Sequence, residues 1–439
     1  MKSTTSSTES RPNKSTIEPR LLKGFRDFLP DEQAARQTML SGITGAFELC
    51  GFAPLSTPAI EYADILLGKY GDEGEKLLYK FEDNGGRQVA LRYDLTVPLA
   101  RVVAQYRDIP KPFRRYQLGT VWRAEKPAHG RFREFMQCDA DIIGTASSLA
   151  DADCIAAGIM GLKSVGLERF EVRIGHRGVL NDVLGQFGVT VPDAQADILR
   201  NLDKLDKIGP GAVAETIAAQ GLMDADQAGR LIATISGAGV PTVVTEAGLA
   251  GAEHLRGVLQ ALESMGFGPF IRVDMSIARG LDYYTGTVYE TMLLDLPSVG
   301  SIMSGGRYDC LLETYGMPEV PAVGISIGVD RLFAALAELG QAPMGGAGPR
   351  AVVCTLGDRA LDSALGLVSE LRDAGISCEA APEPGAKLKR QLAHAVRRGA
   401  RYAILLGEDE VGQGVVTVKN LATGEQGQVE RNQVASALV

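Results

Sequence analysis

"FRRYQLGTVWRAEKPAHGRFREFMQCDADIIG", Phe113 to Gly144, contains two strand-like runs joined by a polar loop centred on "EKPAHG". Aromatic and β-branched residues fill both arms and proline and glycine break them, so the spacing predicts a hairpin. Side chains alternate along a strand. On the second arm Arg131, Arg133, Phe135, Gln137, Asp139 and Asp141 therefore face one way. Phe132, Glu134, Met136, Cys138, Ala140 and Ile142 face the other and read mostly as core. The first set is a ladder of ions and an amide, which needs a ligand, a partner strand or solvent. A solvated antiparallel face is the plain account.

A second stretch raises the same question. In "ARGLDYYTGTVYE", Ala278 to Glu290, a strand puts Arg279, Leu281, Tyr283, Thr285, Thr287 and Tyr289 on one face. Gly280, Asp282, Tyr284, Gly286, Val288 and Glu290 take the other, and neither is an apolar stripe. The stretch is either a polar edge strand or the floor of a polar pocket. Elsewhere, Pro30 to Cys50 has helical spacing, "GFAPLSTPAIEY" is extended and proline-broken, and "RQVALRYDLTVPLARVVAQY" reads as strand, turn and helix. Residues from about 181 to 265 are alanine-rich and helical, an insertion between two halves of one sheet domain. The Gly/Pro-rich residues 341–349 read as a linker. Beyond it, residues 350–439 run strand, helix, strand, helix, strand, a small α/β (βαβαβ) domain. Residues 17–340 then form an α+β domain on an antiparallel sheet flanked by helices, and residues 1–16 a disordered leader.

Composition narrows the function. A chain of 439 residues has room for two or three domains, and 45% hydrophobic with 23% charged residues is ordinary for a soluble protein. No apolar run reaches the roughly 18 residues of a membrane span. The first twenty residues lack the apolar stretch of a secretory signal. Six scattered cysteines without a CxxC pair suit a reducing cytoplasm. Four histidines, none beside another or beside a cysteine, argue against a structural zinc site. A net charge of −9 opposes a nucleic-acid coat but permits one basic face.

Arg123, Arg131, Arg133, Arg279, Arg307 and Arg331 all lie on strands, at strand ends or beside glycines, accompanied by Asp94, Asp139, Asp141, Asp282 and Glu290. The planar guanidinium fork suits phosphate and carboxylate. No GxxxxGK[ST] loop occurs, and no GxGxxG joins a strand to a helix, so arginines rather than a glycine-rich loop would hold a nucleotide. With these motifs in view, the sequence resembles histidyl-tRNA synthetases, members of the class II aminoacyl-tRNA synthetases, over nearly its whole length from "KGFRDFLP". Pro58 looks like the motif-1 proline at a dimer interface, "GTVWRAEKPAHGRFREF" like motif 2, and "AVGISIGVDRL" like motif 3. "RGLDYYTGTVYE" together with "SGGRYD" is specific to the histidine enzyme.

The resemblance implies roles. Asp94, Leu95 and Thr96 would hold the amino group and its surroundings, and Arg123, Gln137 and Asp141 would frame the amino-acid pocket. Tyr283, Tyr284 and Tyr308 would line the imidazole site. Arg279 would bridge the histidine carboxylate and the α-phosphate of ATP, Arg123 would share that phosphate, Arg131 would join the ATP site, and Arg331 would take the γ-phosphate. Arg279 and Arg123 would then be the catalytic pair, with Mg²⁺ bridging the phosphates, and the implied partners are L-histidine, ATP and histidine tRNA in a cytoplasmic homodimer. A carboxylate attacking a phosphate needs no protein base, so catalysis is alignment and charge stabilisation.

For tRNA, residues 350–439 are neutral, with 11 Lys/Arg against 11 Asp/Glu. Gly385 to Arg401 nevertheless carries six bases and no acid, and the resemblance makes Lys387, Lys389, Arg390, Arg397 and Arg398 phosphate contacts. Residues 107–133, including Lys126, hold eight bases and two acids, a second basic region for the acceptor stem. Ala128 has no group to read a base edge, where many bacterial relatives carry longer polar donors. Asp139 and Asp282 also read as arginine partners, Arg307 as site or support, His129 as a solvated loop residue, His176 as locally packed, and Cys138 as core. The rival readings are a synthetase-like regulatory subunit that senses histidine for its biosynthesis, and a ligase for proline or threonine.

Overall fold

The computed structural model describes residues 17–67, 77–127, 131–237, 239–277, 284–317, 320–343 and 346–438. The leader 1–16, Ala128, His129, and Ala278 to Tyr283 with Arg279 and Asp282 lie outside the described residues. Contacts group the chain into two units. One holds the residues up to Asp27 with Gly42–Gln341, and the other Phe28–Ser41 with Ala342–Val439. Within the second, the Ala347 amide donates to Asp31 Oδ1 at 3.2 Å, one reason a segment near the start of the chain joins it.

The first unit carries β1 (Ala53–Pro54), β2 (Ile60–Tyr62), β3 (Lys80–Glu82), β4 (Gln88–Leu91), β5 (Phe113–Trp122) and β6 (Glu134–Ile143). It continues with β7 (Phe170–His176), β8 (Ile271–Val273), β9 (Thr287–Leu293), β10 (Met303–Arg307) and β11 (Ala322–Gly328). Eight of these form one sheet in the order β1-β5-β6-β11-β10-β9-β7-β8. Its central pairs are antiparallel, whereas β1 and β8 join the two edges in parallel. The hairpin is β5–β6, paired in register from Phe113↔Ile143 to Trp122↔Glu134. The strand of its second arm starts at Glu134; just ahead of it the Arg133 carbonyl accepts from the Arg123 amide while the Arg133 amide donates to the Gly24 carbonyl. Of the strand expected over Ala278 to Glu290, residues 278–283 lie outside the described residues and the ladder runs from Thr287; just ahead of it the Gly286 carbonyl accepts from the Arg177 amide, and the Thr285 amide donates to the Arg307 carbonyl.

One face of the sheet is apolar, and the helix Ser148–Ser164 lies on it. Ile155, Ile159 and Leu162 are buried there with Cys138, Ala140 and Ile142 of β6 and Val323, Ile325 and Ile327 of β11. The approach is close: a Cβ on Gly158 would stand 2.4 Å from Met303 Sδ. Cys138 is fully buried, a small core residue. Between β7 and β8 the chain runs through the helices Arg177–Gln186, Pro192–Leu202, Leu205–Ala219, Ala225–Ile235 and Glu246–Ser264. Several start on ordinary caps, as where Asp224 accepts from the Gln227 amide and Thr245 from the Gly248 amide.

A buried polar junction ties one of these helices to the sheet. Arg307 ion-pairs with Asp151 through Nη2, and also donates to Asp309 and to the carbonyls of Thr145 and Ser147. It therefore supports the fold and does not line the cavity described below. His254 Nε2 stands 3.3 Å from Asp151 Oδ2. The His176 ring lies 5.8 Å from that of His254, and its Nδ1 accepts from the Gly178 amide to cap the helix Arg177–Gln186. The two histidines, far apart in sequence, thus meet in space. Burial and the neighbouring His254 push His176 down to about 4, so it is neutral at pH 7.

In the second unit β12 (Ala351–Leu356), β13 (Cys378–Ala380) and β14 (Tyr402–Gly407) are parallel, flanked by the helices Leu361–Asp373 and Leu388–Arg397. To the expected βαβαβ core the structure adds antiparallel β15 (Val415–Asn420) and β16 (Gln426–Glu430), giving the order β13-β12-β14-β15-β16. Alternate residues feed two cores: Val353, Leu367 and Ile404 on one face, Cys354, Ala395 and Leu405 on the other. Burial on both faces explains the unbroken apolar run "AILL".

Removing one partner of a buried ion pair leaves an uncompensated charge and costs about 3–5 kcal/mol. Arg307→Ala is expected to lose stability on that scale in urea unfolding, with Arg307→Lys in between. A loss below about 1 kcal/mol would mean that water takes over the role of the guanidinium.

Candidate active site

The face of the large sheet opposite the helix Ser148–Ser164 is polar, and register sets it out in three rows. Arg115, Asp141 and Gly324 are paired across β5, β6 and β11; so are Gln117, Asp139 and Ser326, and then Gly119, Gln137 and Gly328. Above these rows lies a cavity of about 640 Å³, within the usual range for a small-molecule site. Asp94, Thr96, Arg123, Arg131, Gln137, Asp139, Asp141, Tyr284, Tyr308 and Arg331 all line it. Leu95 does not: its side chain is fully buried, and its carbonyl accepts from Arg115 Nη2 at 3.3 Å. Glu290 is buried outside the lining, and Arg279 and Tyr283 fall outside the described residues.

Glycines make the room. A Cβ on Gly324 would lie 1.9 Å from Asp141 Oδ1, and one on Gly305 would lie 2.1 Å from the Gly324 carbonyl. On Gly306 it would stand 2.7 Å from the Tyr284 ring. The "SGGRYD" and "AVGISIG" glycines are thus the space into which the acid and the tyrosines fit.

Asp141 is buried with Arg115 Nη2 2.8 Å from its Oδ2, an ion pair by distance whose angle falls short of a hydrogen bond. The Tyr308 hydroxyl donates to Oδ1. Burial raises the Asp141 carboxyl, and Arg115 and then the Tyr308 hydrogen bond oppose this only in part. Burial likewise pushes Asp139 up to about 7, against Arg115 and with the charge of Asp141. Gln137 Nε2 donates to Ser326 Oγ at 2.6 Å. Burial also raises the Tyr284 phenol, which is neutral at any physiological pH.

Toward the opening, Arg123 is held over the rings of Tyr93 and Phe135, at 4.2 and 5.0 Å to their centroids, and donates from Nε to the Tyr93 carbonyl. Stacking of this kind fixes a guanidinium without neutralising it. Arg331 donates to the Ser301 carbonyl. Asp94 Oδ1 accepts from the amides of Thr96 and Val97 at the start of the helix Thr96–Gln105.

Four contributors had not been singled out from sequence. Arg115 and Gln117 share a face by simple alternation in "FRRYQLG", a legible signal. Asp330 accepts from the Met136 amide at 2.7 Å and pairs with Arg26, whose guanidinium lies 3.3 Å from the centre of the Phe132 ring. Nothing local in "KGFRDF" marks Arg26, because its partners are distant in the chain.

The basic stretch of the second unit is less free than its sequence implies. Arg390 pairs with Glu383 and Arg398 with Glu379, acids that lie outside the helix Leu388–Arg397. Lys387, Lys389 and Arg397 are exposed and carry no ion pair among the described residues. The region 107–133 also shrinks as a basic face: Arg115 is buried, Arg114 pairs with Asp153, and Arg133 donates to the Glu125 carbonyl. Lys126 remains exposed.

Comparison with known proteins gives the context. Residues 24–332 match the histidyl-tRNA synthetase family and residues 350–439 the anticodon binding domain family. The chain is 43% identical to the histidine–tRNA ligase of Rhodopirellula baltica over 93% of its own length and 95% of that protein. Its fold matches the crystal structure of histidyl-tRNA synthetase from Nostoc at a TM-score of 0.87 and 31% identity, covering 96% of this chain and 99% of that one. A Bacillus halodurans structure described as an ATP phosphoribosyltransferase regulatory subunit/histidyl-tRNA synthetase shares the fold, at a TM-score of 0.74 and 24% identity over 89% of this chain and 99% of the other. A mainly antiparallel sheet with an arginine-rimmed cavity, in one chain with an anticodon-binding domain, defines an aminoacyl-tRNA synthetase. Within that class, the chain belongs to the histidyl-tRNA synthetase family.

The raised Asp139 carboxyl sets a pH dependence. Unfolded, it releases its proton near 3.8, and folded near 7, so between these values the unfolded chain holds fewer protons and rising pH lowers stability. Asp139→Asn removes this dependence. The melting temperature of the variant minus that of the wild type is expected to grow from about pH 4 to about pH 7 and then level off. Taking the difference cancels the opposite trend from His176. A flat difference would show that Asp139 is not the titrating group.

Proposed function

We propose that the chain activates L-histidine with ATP, forming histidyl-adenylate and pyrophosphate, and then transfers histidine to the 3′ end of its tRNA. The observation that carries this is the buried Asp141–Tyr308 pair on the floor of a cavity rimmed by Arg123, Arg131 and Arg331. An imidazole ring matches the floor, because an acid and neutral phenols offer hydrogen bonds that an apolar ring would leave unmade. The rim suits a nucleotide phosphate.

In this reading Asp94 and Thr96 take the amino group, Gln137 and Asp141 the side chain with Tyr283, Tyr284 and Tyr308, and Arg279 the carboxylate. One histidine carboxylate oxygen attacks the α-phosphorus and pyrophosphate leaves. Negative charge on the α-phosphate is stabilised by Arg123 and Arg279, with Arg131 and Arg331 on the remaining phosphates. Mg²⁺ would arrive with ATP, held chiefly by phosphate oxygens and water. Among the described residues no three His, Cys, Asp or Glu side chains cluster as a metal cage. The exposed bases Lys387, Lys389 and Arg397 would contact tRNA phosphates, with Arg390, Arg398 and Lys126 beside them. A homodimer in the cytoplasm completes the reading. Among the described residues no helix is long and apolar enough to cross a membrane.

Histidine-dependent ATP–pyrophosphate exchange tests the first step, and absence of exchange in the wild type would leave the histidine-sensing regulatory reading. Arg123→Ala is expected to lower exchange about 10²–10³-fold while leaving folding intact, the scale for one transition-state donor. Near-normal exchange in that variant would remove Arg123 from catalysis. Reversing Lys387, Lys389 and Arg397 to glutamate is expected to leave exchange unchanged. The same variant should raise the KM for tRNA and flatten its salt dependence, by roughly 0.7–0.9 in log–log slope per lost phosphate contact. An unaltered slope would exclude this helix from tRNA binding.

A further inference from the structure

Among the described residues Arg115 is the largest side chain with no solvent exposure, yet the fold makes little use of its donors. Nη2 reaches both Asp141 Oδ2 at 2.8 Å and the Leu95 carbonyl at 3.3 Å. Nε and Nη1 have no hydrogen-bond partner among the described residues. An apolar pair of similar volume commonly stabilises a protein interior as well as a buried ion pair does. Stability alone therefore gives no reason for a cation at this position.

The neighbours supply one. Asp141 stands opposite Arg115 in the β5–β6 register, Asp139 follows on the same face, and Asp94 lines the same cavity. Tyr284 and Tyr308 face Asp141 from around β9 and β10, and Cys154 stands behind it on the helix Ser148–Ser164. None of these is a cation. Other arginines nearby are committed: Arg92 to the carbonyls of Thr57 and Thr120, Arg307 to Asp151, and Arg123 to its two rings. Arg115 is thus the buried guanidinium that serves Asp141.

We propose that Arg115 is a positioning residue for amino-acid activation: it fixes the Asp141 carboxylate so that a lone pair faces the cavity and accepts the ring N–H of the substrate. This rests on the reading of the cavity as the histidine site. Tyr308 holds one oxygen and Arg115 the other, which leaves each with an acceptor site. Without the guanidinium, an acid desolvated among two other carboxyls would keep its proton at neutral pH. A protonated Asp141 loses acceptor capacity, and the pocket loses its preference for a ring N–H. Burial raises the Asp141 carboxyl even with the cation present, and Arg115 is the main influence opposing it.

The test is histidine-dependent pyrophosphate exchange by the full chain from about pH 6 to pH 9, comparing wild type, R115M, R115K, D141N and R115M/D141N. R115M is expected to raise the KM for histidine about tenfold or more at pH 7, the size of a lost hydrogen bond to an ionised acceptor, with the KM for ATP within about twofold. That deficit should narrow toward pH 9 as Asp141 ionises, and R115K should recover most of it. The titration of histidine itself cancels between enzymes measured on the same substrate. In the D141N background, R115M should add less than about twofold, because the group it positions is already gone. Should R115M fail to fold, the double variant, which removes both charges together, carries the comparison with D141N alone. Equal losses for both substrates, a deficit independent of pH, or a further tenfold loss in the double variant would overturn the proposal. Failure of the wild type to exchange with histidine would instead remove the histidine assignment, and so is told apart from failure of the role of Arg115.

Discussion

The register of β5 against β6 is the constraint on which the rest of the first unit depends. It places Arg115 against Asp141 and Gln117 against Asp139 on one face, and sends Cys138, Ala140 and Ile142 to the other. A slip of one residue would turn every side chain over, setting carboxylates against the helix Ser148–Ser164 and apolar groups in the cavity. The apolar face thus secures the polar one. The hydrophobic packing that pins the hairpin also sets the acids on the cavity face, where Arg115 meets Asp141.

Much of this was legible in the sequence because alternation is a local property. The two faces of the second arm, the buried role of Cys138, and the grouping of Gln137, Asp139 and Asp141 follow from a period of two. Arg115 was legible by the same rule, but its meaning was not, since that depends on which residue stands across the hairpin. Strand limits are less legible: at Arg133 and at Tyr284 to Gly286, charged and aromatic residues have β-like spacing, but the regular strand starts only at Glu134 and at Thr287. Arg307 and Arg331 look alike in sequence. Only the buried Asp151 distinguishes the one that holds the fold from the one that reaches the cavity.

Charge tells a similar story in the second unit. A run of six bases suggests a uniformly basic helix, yet Glu379 and Glu383 reach it from outside and pair with Arg398 and Arg390. What remains is a smaller exposed set, Lys387, Lys389 and Arg397, with Arg401 just beyond the helix. Net charge over a segment overstates the field it presents whenever partners come from another element.

The glycines of β10 and β11 bear on how this cavity could be changed. Where Gly305, Gly306 and Gly324 stand, the wall is bare main chain already in contact with Asp141, Tyr284 and the neighbouring strand. A protein engineer has no side chain to trim there and no space to add one. Any attempt to admit a differently shaped amino acid must work through the residues of β6 and the tyrosines. There each change also disturbs a shared charge, so single substitutions would be expected to yield weak, unselective enzymes, and a new preference would require the acid and its cation to be exchanged together.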